Sequence, residues 1–378
     1  MQVAIDIRRL GDFGLGTYTR NIVRALARRK SEIRYLLIGR AQLYEQLGKL
    51  PANFALLDYR ADPGSLRTHM HLPAALAQRG VDILHMPWFY APAVVPCRLV
   101  ITVHDLTELV YARTVAGGAI VQAGRRHFAR RALVNCSRII SVSQTARREL
   151  ARVFGIPESK IEVIYNALDE RFRSEPYPRD DAHILERHAI NYPFVLYAGN
   201  IRPHKNLPRL IEAFAVAKAE LRGNAEFDHL KLLVIGDELG QHPDLRRTVV
   251  RTRVREDVRF LGFVPHPVLR VLYKHARAFL FPSLYEGFGL PPLEAMAHGT
   301  PVLTSNVSSL PEVFGDSALL VSPEKVFEIA RGIRQILTDE ELRARLVRAG
   351  EERVKLYSWD RAAQQLEEVY RTVGNGES

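Results

Sequence analysis

The feature that most constrains the fold is a regular alternation of short β-branched runs with longer helical patterns along the whole chain. Seven strand-like runs precede residue 173: Val3–Ile7, Tyr35–Ile38, Phe54–Leu57, Ile83–Met86, Val100–Val103, Ile139–Val142 and Ile161–Ile164. Six more follow residue 190: Phe194–Ala198, Leu230–Ile235, Val258–Leu261, Ala278–Phe281, Val302–Ser305 and Ala318–Val321. Buried strands that alternate with helices indicate parallel sheets covered on both faces. The sequence therefore predicts two doubly wound α/β domains in series.

The boundary between the two series is the polar stretch 173–190, which contains two prolines and a pair of aspartates. Exposed, proline-containing segments are typical of domain linkers. We therefore expect a first domain over 1–172 and a second over 191–358. A final helical pattern, Leu342–Thr372, is interrupted around residues 357–359. In open α/β sheets ligands bind beyond the carboxyl ends of the strands, so the loops after the strands are where a site is expected.

Composition excludes several other classes of protein. Apolar residues make up 47% and charged residues 25%, which is typical of a globular protein and excludes disorder and a disulfide scaffold. No apolar run reaches the roughly 18 residues of a membrane-spanning helix. The start of the sequence, MQVAIDIRRLGDFGLG, lacks the apolar core of a signal peptide. Cys97 and Cys136 are predicted to be free thiols, so the expected location is the cytoplasm.

The net charge of +11 lies entirely in the first half of the chain. Residues 1–175 hold 26 Lys and Arg against 15 Asp and Glu, whereas the remaining residues hold 27 of each. A one-sided excess favours an anionic partner, such as a lipid surface, a nucleic acid or a phosphorylated substrate. The arginines cluster on two helical patterns, at Arg24, Arg28 and Arg29 and at Arg125, Arg126, Arg130 and Arg131. A solvated basic face without a partner explains the same pattern, and the residues alone leave both interpretations open.

The strongest site signal follows the predicted strand Ala278–Phe281, where the loop and helix start SLYEGFGLPPLE begins. Gly287 and Gly289 allow the backbone to approach a ligand closely. Two prolines suit the first turn of a helix, whose free amides favour a phosphate or an array of hydroxyls. Glu286 and Glu294 can each accept paired hydroxyl donors from a sugar or a ribose. A merely capped and proline-packed helix is the alternative, but the combined features favour a ligand site.

A second signal, GNIRPHKN, follows the predicted strand Phe194–Ala198. Arg202 offers a planar fork of donors and Lys205 a compact charge, and two such cations after a strand suit a pyrophosphate. Two solvated cations ahead of a helix are the alternative. That alternative is weakened because the loop lies at the same sheet edge as Glu286.

Two weaker signals lie in the first half. The segment GDFGLGT after the first strand resembles a dinucleotide fingerprint, but its third glycine is absent, so Gly14 and Gly16 predict only a glycine turn near the ligand. His104 follows the predicted strand Val100–Val103. A lone histidine is as easily structural as functional, and its place at the carboxyl end of a strand makes it a candidate.

Some familiar motifs are missing from the sequence. There is no Asp-x-Asp pair, no His/Cys cluster with metal-ligand spacing, no Gly-x-Ser-x-Gly and no Walker-type loop. The sequence therefore predicts that negative charge on a leaving diphosphate is neutralised by Arg202, Lys205 and helix amides in place of a magnesium ion.

The spacing of Glu286 and Glu294, with seven residues between them within EGFGLPPLEAMAHGTPVLTSNVSSLPEVFGDSALLVSP, resembles that of the retaining, nucleotide-sugar-dependent glycosyltransferases of family four. The resemblance covers nearly the whole chain and is strongest over Val195–Pro323. It implies the GT-B fold, in which two Rossmann-like domains face each other across a cleft. It also implies a last helix, about 359–378, that packs back on the first domain. Within the family, the stretch is most similar to bacterial mannosyltransferases that build cell-surface polysaccharides.

The resemblance implies roles for residues of the second domain. Glu286 would hold hydroxyls of the transferred sugar and Glu294 the ribose diol, while Arg202 and Lys205 would bind the diphosphate. Further contacts with the donor are implied for backbone groups of the glutamate loop, Gly287, Phe288, Gly289 and Leu290, and for two strand ends that would flank the nucleobase, Gly236, Asp237, Phe263 and Val264.

For the first domain, the resemblance places Gly14 and Gly16 near the phosphates and His104 near the donor sugar. The implied catalytic residues are then His104, Glu286, Arg202 and Lys205. Many family members carry the cation pair in a Gly-Arg-Leu frame followed by Lys-Gly, whereas this chain has Gly-Asn-Ile-Arg-Pro-His-Lys-Asn. The role of Asn200 is therefore left open.

The resulting hypothesis is a retaining, metal-independent hexosyltransferase without a cofactor. It would move mannose from GDP-mannose to a hydroxyl of a glycan or a lipid-linked acceptor, with a UDP-sugar as the alternative donor. A sugar-nucleotide epimerase of the same fold is the alternative enzyme. Nucleic acid is not a predicted partner, because no module that combines aromatic and basic residues is present. The basic first domain is predicted to dock on anionic lipid at the inner face of the cytoplasmic membrane, each cation contributing roughly 1 kcal/mol.

Overall fold

The computed structural model of the protein describes residues 1–92, 94–107, 118–174 and 180–376. The chain divides into two compact units, the first formed by Met1–Ala167 with Ser358–Ser378 and the second by Leu168–Tyr357. This division lies five residues before the predicted end of the first domain. Residues 180–190, which the sequence predicts as linker, belong to the second unit, and part of the predicted linker lies outside the described residues.

The first unit contains a seven-stranded parallel sheet with the order β3-β2-β1-β4-β5-β6-β7 among the described residues. Its strands are β1 (Gln2–Asp6), β2 (Arg34–Gly39), β3 (Phe54–Asp58), β4 (Ile83–Met86), β5 (Arg98–Val103), β6 (Arg138–Ser141) and β7 (Ile161–Val163). The helices between them are α1 (Leu15–Arg28), α2 (Ala41–Glu45), α3 (Leu66–Ala77), α4 (Gly118–Asn135) and α5 (Gln144–Phe154).

The second unit contains a six-stranded parallel sheet with the order β10-β9-β8-β11-β12-β13. Its strands are β8 (Phe194–Ala198), β9 (Lys231–Ile235), β10 (Val258–Gly262), β11 (Phe279–Phe281), β12 (Val302–Ser305) and β13 (Leu319–Val321). Its helices are α6 (Arg171–Ser174), α7 (Asp181–Arg187), α8 (Leu207–Glu220), α9 (Pro243–Arg251), α10 (His266–His275), α11 (Leu290–Met296), α12 (Leu310–Phe314), α13 (Val326–Thr338) and α14 (Glu340–Lys355).

The central strands of both sheets are buried over nearly their whole length, as their apolar runs predict. In β1 and β8, for example, Val3, Ile5, Val195 and Leu196 are fully buried. Strands covered on both faces need no polar alternation, which explains the continuous apolar runs in the sequence. The prediction of two doubly wound α/β units is therefore confirmed.

A last helix, α15 (Trp359–Gly374), packs against α1 and β4 of the first unit. Its contacts include two ion pairs, Arg28 with Asp360 at 2.7 Å and Arg29 with Glu367 at 2.9 Å. One of the two basic clusters is thereby accounted for within the protein. Arg28 and Arg29 are bound to the last helix, and Arg24 donates to the carbonyls of Gln46 and Leu47, so these three arginines have partners within the protein.

Both cysteines are free thiols, Cys136 buried and Cys97 partly exposed. Within the described ranges, no helix is both long enough and apolar enough to cross a bilayer.

Candidate functional site

The order of the second sheet places two of the predicted loops side by side. The strand order runs outward in opposite directions from β8 and β11, which are neighbours, so the crevice beyond their carboxyl ends is the topological switch point. In open α/β sheets that crevice is where ligands bind. The loop after β8 carries Lys205 and the loop after β11 carries Glu286.

Lys205 and Glu286 form an ion pair at this switch point. The Nζ atom of Lys205 lies 2.6 Å from Oε1 of Glu286, and the two side chains are 12% and 11% exposed. The same ammonium lies 5.0 Å from the centre of the Phe281 ring, a cation–π distance. Because both charges are largely removed from water, each strongly affects any ligand that reaches them. The structure therefore brings together two of the predicted catalytic residues.

Two serines that sequence reasoning missed fix the backbone of Glu286. The hydroxyls of Ser308 and Ser309 donate hydrogen bonds of 2.6 and 2.8 Å to the Glu286 carbonyl, and the Ser308 hydroxyl also accepts one from the Glu286 amide. Ser308 adopts a φ of 59°, which a non-glycine residue rarely holds. The only sequence signal is a polar cluster, Asn306–Ser309, after the strand β12.

The loop of Lys205 is fixed by Asn206, which the sequence analysis did not single out. Asn206 has a φ of 63° and is 3% exposed. Its side-chain amide donates to the carbonyls of Pro282, at 3.0 Å, and Pro323, at 2.7 Å. The amide of Leu284 also donates to the carbonyl of His204 at 2.7 Å. These bonds join the two loops directly, which explains how Lys205 is held against Glu286.

The strand end that carries Gly236 and Asp237 packs against the same loop. A Cβ on Gly236 would lie 2.1 Å from the carbonyl oxygen of Gly199, and its φ of +146° also excludes most other residues. The carboxylate of Asp237 accepts a 2.9 Å hydrogen bond from the amide of Ile201. Asp237 therefore has a bracing role in addition to the predicted place beside a nucleobase.

Tyr197 lies close enough to the carboxylates of Glu286 and Asp237, which belong to two different loops, for both charges to affect it. It is fully buried, and its hydroxyl donates to the carbonyl of Asn200 at 3.0 Å. Burial raises the pKa of Tyr197 far above its usual value, and the negative charges of Glu286 and Asp237 raise it further. A neutral phenol therefore lies within the electrostatic reach of both carboxylates.

Glu294, the second glutamate of the motif, lies on α11. Its Oε2 atom accepts a 3.0 Å hydrogen bond from the hydroxyl of Tyr273. Burial raises the pKa of Glu294 to about 7, and the nearby charge of Asp169 adds to this effect. The Tyr273 bond and the charge of Arg171 act in the opposite direction. The ionisation of this carboxyl is therefore balanced near neutral pH.

The turn between the two glutamates is built as the glycine and proline pattern predicts. Gly289, with a φ of +96°, ends the loop, and α11 begins at Leu290 with prolines in its first turn. Gly287 is buried, and the ring of Phe288 is 3% exposed and packs edge-on against Tyr357 at 5.2 Å. The side chain of Phe288 is therefore a packing element, and only its backbone is left for a ligand.

Three further predicted residues of the second unit are less buried. The side chain of Arg202 is exposed, as is that of Phe263 at 56%, and Val264 is half-buried. Their predicted contacts with a diphosphate and a nucleobase stay predictions.

In the first unit, Gly14 and Gly16 shape the start of α1. Gly14 adopts a φ of +64° immediately before the helix. A Cβ on Gly16 would lie 2.2 Å from the carbonyl oxygen of Leu10. The close approach of Gly16 is thus to the protein's own backbone, and its predicted place near a phosphate stays a prediction.

His104 lies among buried aromatic and polar groups at the carboxyl end of β5. Its Nε2 donates to the carbonyl of Pro87 at 3.1 Å, and since a carbonyl can only accept, Nδ1 carries no proton and can accept a hydrogen bond. The rings of His104 and Tyr18 meet edge-on at 4.6 Å. Burial lowers the pKa of His104 to about 4, so it is neutral at physiological pH.

Across the part of the chain that the structure describes, no group of three or more His, Cys, Asp or Glu side chains is arranged to hold a metal ion.

Two family models match the chain. One, described as Glycosyltransferase Family 4, matches residues 14–172, and the other, described as Glycosyl transferases group 1, matches residues 180–353. The O-antigen chain mannosyltransferase B of Escherichia coli is 32% identical over 296 residues, which cover 77% of this chain and 74% of that protein. The serotype-specific mannosyltransferase WbdA of Escherichia coli is 32% identical over 255 residues, or 65% of this chain, which spans only 30% of that longer protein.

A solved structure shares the fold. The Anabaena protein HepE in complex with UDP-glucose superposes with a TM-score of 0.76 at 19% identity, covering 98% of this chain and 100% of that chain. Together with the two parallel sheets, this likeness confirms the predicted fold class of two Rossmann-like domains.

Proposed function

We propose that this chain, which belongs to glycosyltransferase family 4, transfers mannose from GDP-mannose to a hydroxyl of a growing polysaccharide or a lipid-linked glycan. Glycosyltransferase activity follows from the family. The choice of mannose is supported by the 32% identity to an O-antigen chain mannosyltransferase over 77% of this chain.

The observation that carries the proposal is the ion pair of Lys205 and Glu286 at the switch point of the second sheet. When a sugar leaves its diphosphate, negative charge develops on the leaving group, and a fixed cation near it lowers the barrier. Lys205 is assigned this role, with the exposed Arg202 as a second, mobile cation. Glu286 accepts hydroxyls of the transferred sugar, and Glu294 accepts those of the ribose.

We propose that transfer proceeds with retention of the anomeric configuration. The pairing of Glu286 with Lys205 supports a binding role for this carboxylate rather than nucleophilic attack. In the proposed step, the bond between the anomeric carbon and the diphosphate oxygen breaks as the acceptor oxygen attacks from the same face. The departing diphosphate oxygen takes the proton of the acceptor. The anomeric configuration of the product, measured by NMR, tests this step: an inverted product would refute it.

The donor is tested with a thermal-shift screen of GDP, UDP, ADP and dTDP and of their sugars. A ligand that binds only the folded state raises the apparent stability. We expect GDP and GDP-mannose to give the largest shifts. Larger shifts with UDP and UDP-glucose would favour the second candidate, a UDP-sugar-dependent transferase, which is suggested by the UDP-glucose complex of HepE. An absence of any shift with all four nucleotides would contradict both.

We propose that no divalent metal takes part and that Lys205, with Arg202, neutralises the diphosphate instead; the buried position of the Lys205 ammonium at the switch point supports this proposal. Turnover of GDP-mannose, followed as release of GDP, is expected to be unchanged in EDTA. Loss of turnover in EDTA with recovery on adding Mg²⁺ would overturn this point.

We also propose that the first unit docks on anionic lipid through the exposed side of α4. On that helix Phe128 and Val134 are 60% and 43% exposed, and Arg126, Arg130 and Arg131 are exposed as well. The predicted cluster also includes Arg125, whose side chain lies outside the described residues. Exposed apolar groups among arginines suit a lipid surface, to which each cation adds roughly 1 kcal/mol.

Flotation with vesicles of phosphatidylglycerol and phosphatidylcholine tests the docking. The wild type is expected to float at low salt, and the charge-reversal variant R130E/R131E to remain behind. The variant R246E/R247E, on the exposed face of α9, makes the same change of charge in the second unit and is expected to float like the wild type. A wild type that stays in the aqueous fraction refutes the docking.

A further inference from the structure

The cluster around Glu294 contains a residue that no part of the proposed function uses. Tyr273, on α10, is fully buried, and its hydroxyl donates to Oε2 of Glu294 at 3.0 Å. The phenol is the one hydrogen-bond donor to this carboxylate among the described residues. A carboxylate held at one oxygen has a fixed orientation, with the other oxygen left to accept from a ligand.

A second element packs against the same carboxyl. The segment that opens the second unit, just after residue 167, places Asp169 and Arg171 close enough to Glu294 for their charges to affect it. Asp169 is 1% exposed and bonds Arg171 at 2.6 Å. The ring of Phe172 then packs edge-on against His298 at 5.5 Å. These contacts fix the segment beside α11.

The remaining titratable groups near Glu294 are histidine and arginine side chains. In the turn that follows α11, the Nδ1 of His298 donates to the carbonyl of Glu294 at 2.7 Å, which fixes the backbone. Burial and the charge of Arg270, on α10, lower the pKa of His298. His266, at the start of α10, meets the ring of Phe172 at 5.1 Å. The side-chain groups that act directly on the carboxyl of Glu294 are therefore those of Tyr273, Asp169 and Arg171.

We propose that Tyr273 is a positioning residue for donor binding, whose hydroxyl holds Glu294 ionised and oriented so that its other oxygen receives the ribose hydroxyls. The inference rests on the proposed function, because it needs a nucleotide ribose at Glu294. Burial and Asp169 favour the protonated form of this carboxyl, and a protonated carboxyl accepts poorly. The hydrogen bond from Tyr273 opposes them, so Tyr273 sets the pH above which the site binds.

The test measures the dissociation constant of GDP, with UDP in parallel, by calorimetry from pH 5.5 to 9. In the wild type we expect binding to strengthen as the pH rises through about 7, the pKa of Glu294. In Tyr273→Phe the ring and its packing stay, but the ionised carboxyl loses a hydrogen bond. The midpoint then moves to higher pH, and binding at pH 7 is about fivefold weaker, the equivalent of one hydrogen bond. At pH 9 the variant approaches the wild type.

Two controls separate this role from a structural one. Tyr357→Phe removes a hydroxyl that donates to the backbone carbonyl of Val313, and it is expected to keep the wild-type profile. Asp169→Asn removes a negative charge and is expected to move the midpoint to lower pH, opposite to Tyr273→Phe. The dideoxy nucleotide ddGDP lacks the ribose diol, so its binding is expected to show the same pH profile in the wild type and in Tyr273→Phe.

The outcomes distinguish a failure of the positioning role of Tyr273 from a failure of the proposed function. If the wild type binds GDP or UDP and Tyr273→Phe shows the wild-type midpoint, or a loss equal at every pH, the positioning role is overturned and the proposed function stands. If the wild type binds no nucleoside diphosphate at any pH, the proposed function itself fails.

Discussion

The two units share a fold and both bury ion pairs, Asp6 with Arg8 in the first unit and Lys205 with Glu286 in the second, but the first unit also buries an extended neutral network. In the first unit, a chain of neutral groups runs from Tyr370 through His85 and Thr102 to Tyr18, with links of 2.6, 2.8 and 3.1 Å. Burial lowers the pKa of His85 to about 3. In the second unit, the corresponding edge of the sheet holds an ion pair, Lys205 with Glu286.

The comparison of the neutral network with the Lys205–Glu286 pair shows that the same fold can hold groups that act by hydrogen bonding and groups that act by charge. A neutral network orients groups by hydrogen bonds, and its dipoles impose a weaker field on a ligand than full charges do. Charges held out of water impose a strong field, which suits a ligand that gains negative charge during the reaction. We therefore infer that the second unit supplies the electrostatic part of catalysis. Four predictions follow from this contrast.

The largest effect is expected for Lys205→Ala, which removes the cation from the charged edge. Turnover of GDP-mannose should fall by about a hundredfold to a thousandfold, because the leaving group loses its stabilisation and Glu286 is left unpaired. The control is Lys218→Ala, which removes a lysine paired with Asp257 in the same unit. Its kcat/KM is expected to match the wild type. Near-normal turnover in Lys205→Ala would show that Lys205 does not stabilise the leaving group, contrary to the role inferred for the second unit.

The next largest effect is on stability and should be similar in the two units. Each has a glycine whose Cβ would strike a backbone carbonyl, Gly16 at 2.2 Å and Gly236 at 2.1 Å. Replacing either by alanine should lower the free energy of unfolding by about 3 kcal/mol. Gly11→Ala and Gly240→Ala, where nothing lies within 4 Å of the added carbon, are the matched controls. Denaturant titration measures all four, and an unaffected Gly236→Ala would show that the two loops can separate without cost.

The third prediction uses pH, to which His104 in the first unit and Glu294 in the second should respond in opposite directions. His104 has a pKa lowered to about 4 in the folded state, against about 6.5 when unfolded. As the pH falls from 6.5 towards 4, the unfolded chain is protonated first, and the first unit loses stability. Glu294 has a pKa raised to about 7, against 4.5. As the pH falls from 7 to 4.5, the folded state is protonated first, and the second unit gains stability.

The tryptophans allow this third prediction to be measured. Both of them, Trp88 and Trp359, belong to the first unit, so their fluorescence follows its unfolding alone. Between pH 6.5 and 5, His104→Asn should reduce the loss of stability by about 1 to 2 kcal/mol relative to the wild type. Hydrogen exchange at β11 should show that Glu294→Gln removes part of the gain in the second unit. Equal slopes in variants and wild type would mean that these groups titrate alike in the folded and unfolded states.

The smallest effect is expected for Tyr370→Phe in the neutral chain. It removes the 2.6 Å bond to Nδ1 of His85 and should cost about 1 kcal/mol of stability without changing the pH dependence of donor binding. Tryptophan fluorescence during unfolding measures the first effect and calorimetry with GDP the second. If Tyr370→Phe shifted the pH midpoint of GDP binding as much as Tyr273→Phe does, the neutral network of the first unit would influence donor binding as strongly as the Glu294 cluster.

Local patterns predicted the strands, the helices and the position of the charged edge. The strand Phe194–Ala198, for example, has its predicted bounds, because its apolar run lies within the segment itself. The Lys205 and Glu286 loops were predicted because each directly follows a strand. Sequence patterning alone places such loops at a sheet edge, since parallel strands end together.

What the sequence did not predict are the partners of these residues. Tyr273 and Glu294 are 21 positions apart, and Asn206 reaches Pro323 across 117. A pattern shows that a face is buried but not which side chain of another element meets it. The same limit applies to Arg29, which pairs with Glu367 at a separation of 338. Its neighbours on α1 predicted an anionic partner, and the chain itself supplies one.

The return of α15 to the first unit has a consequence for biosynthesis. On the ribosome, residues 1–167 emerge long before Trp359 and Tyr370, which fill the surface beside Tyr18 and His85. Until the whole second unit has been translated, that surface is uncovered and the imidazole of His85 has no phenol to bond. The first unit is thus translated early but completed late. Until α15 is translated, the uncovered surface of a nascent first unit needs a chaperone to shield it.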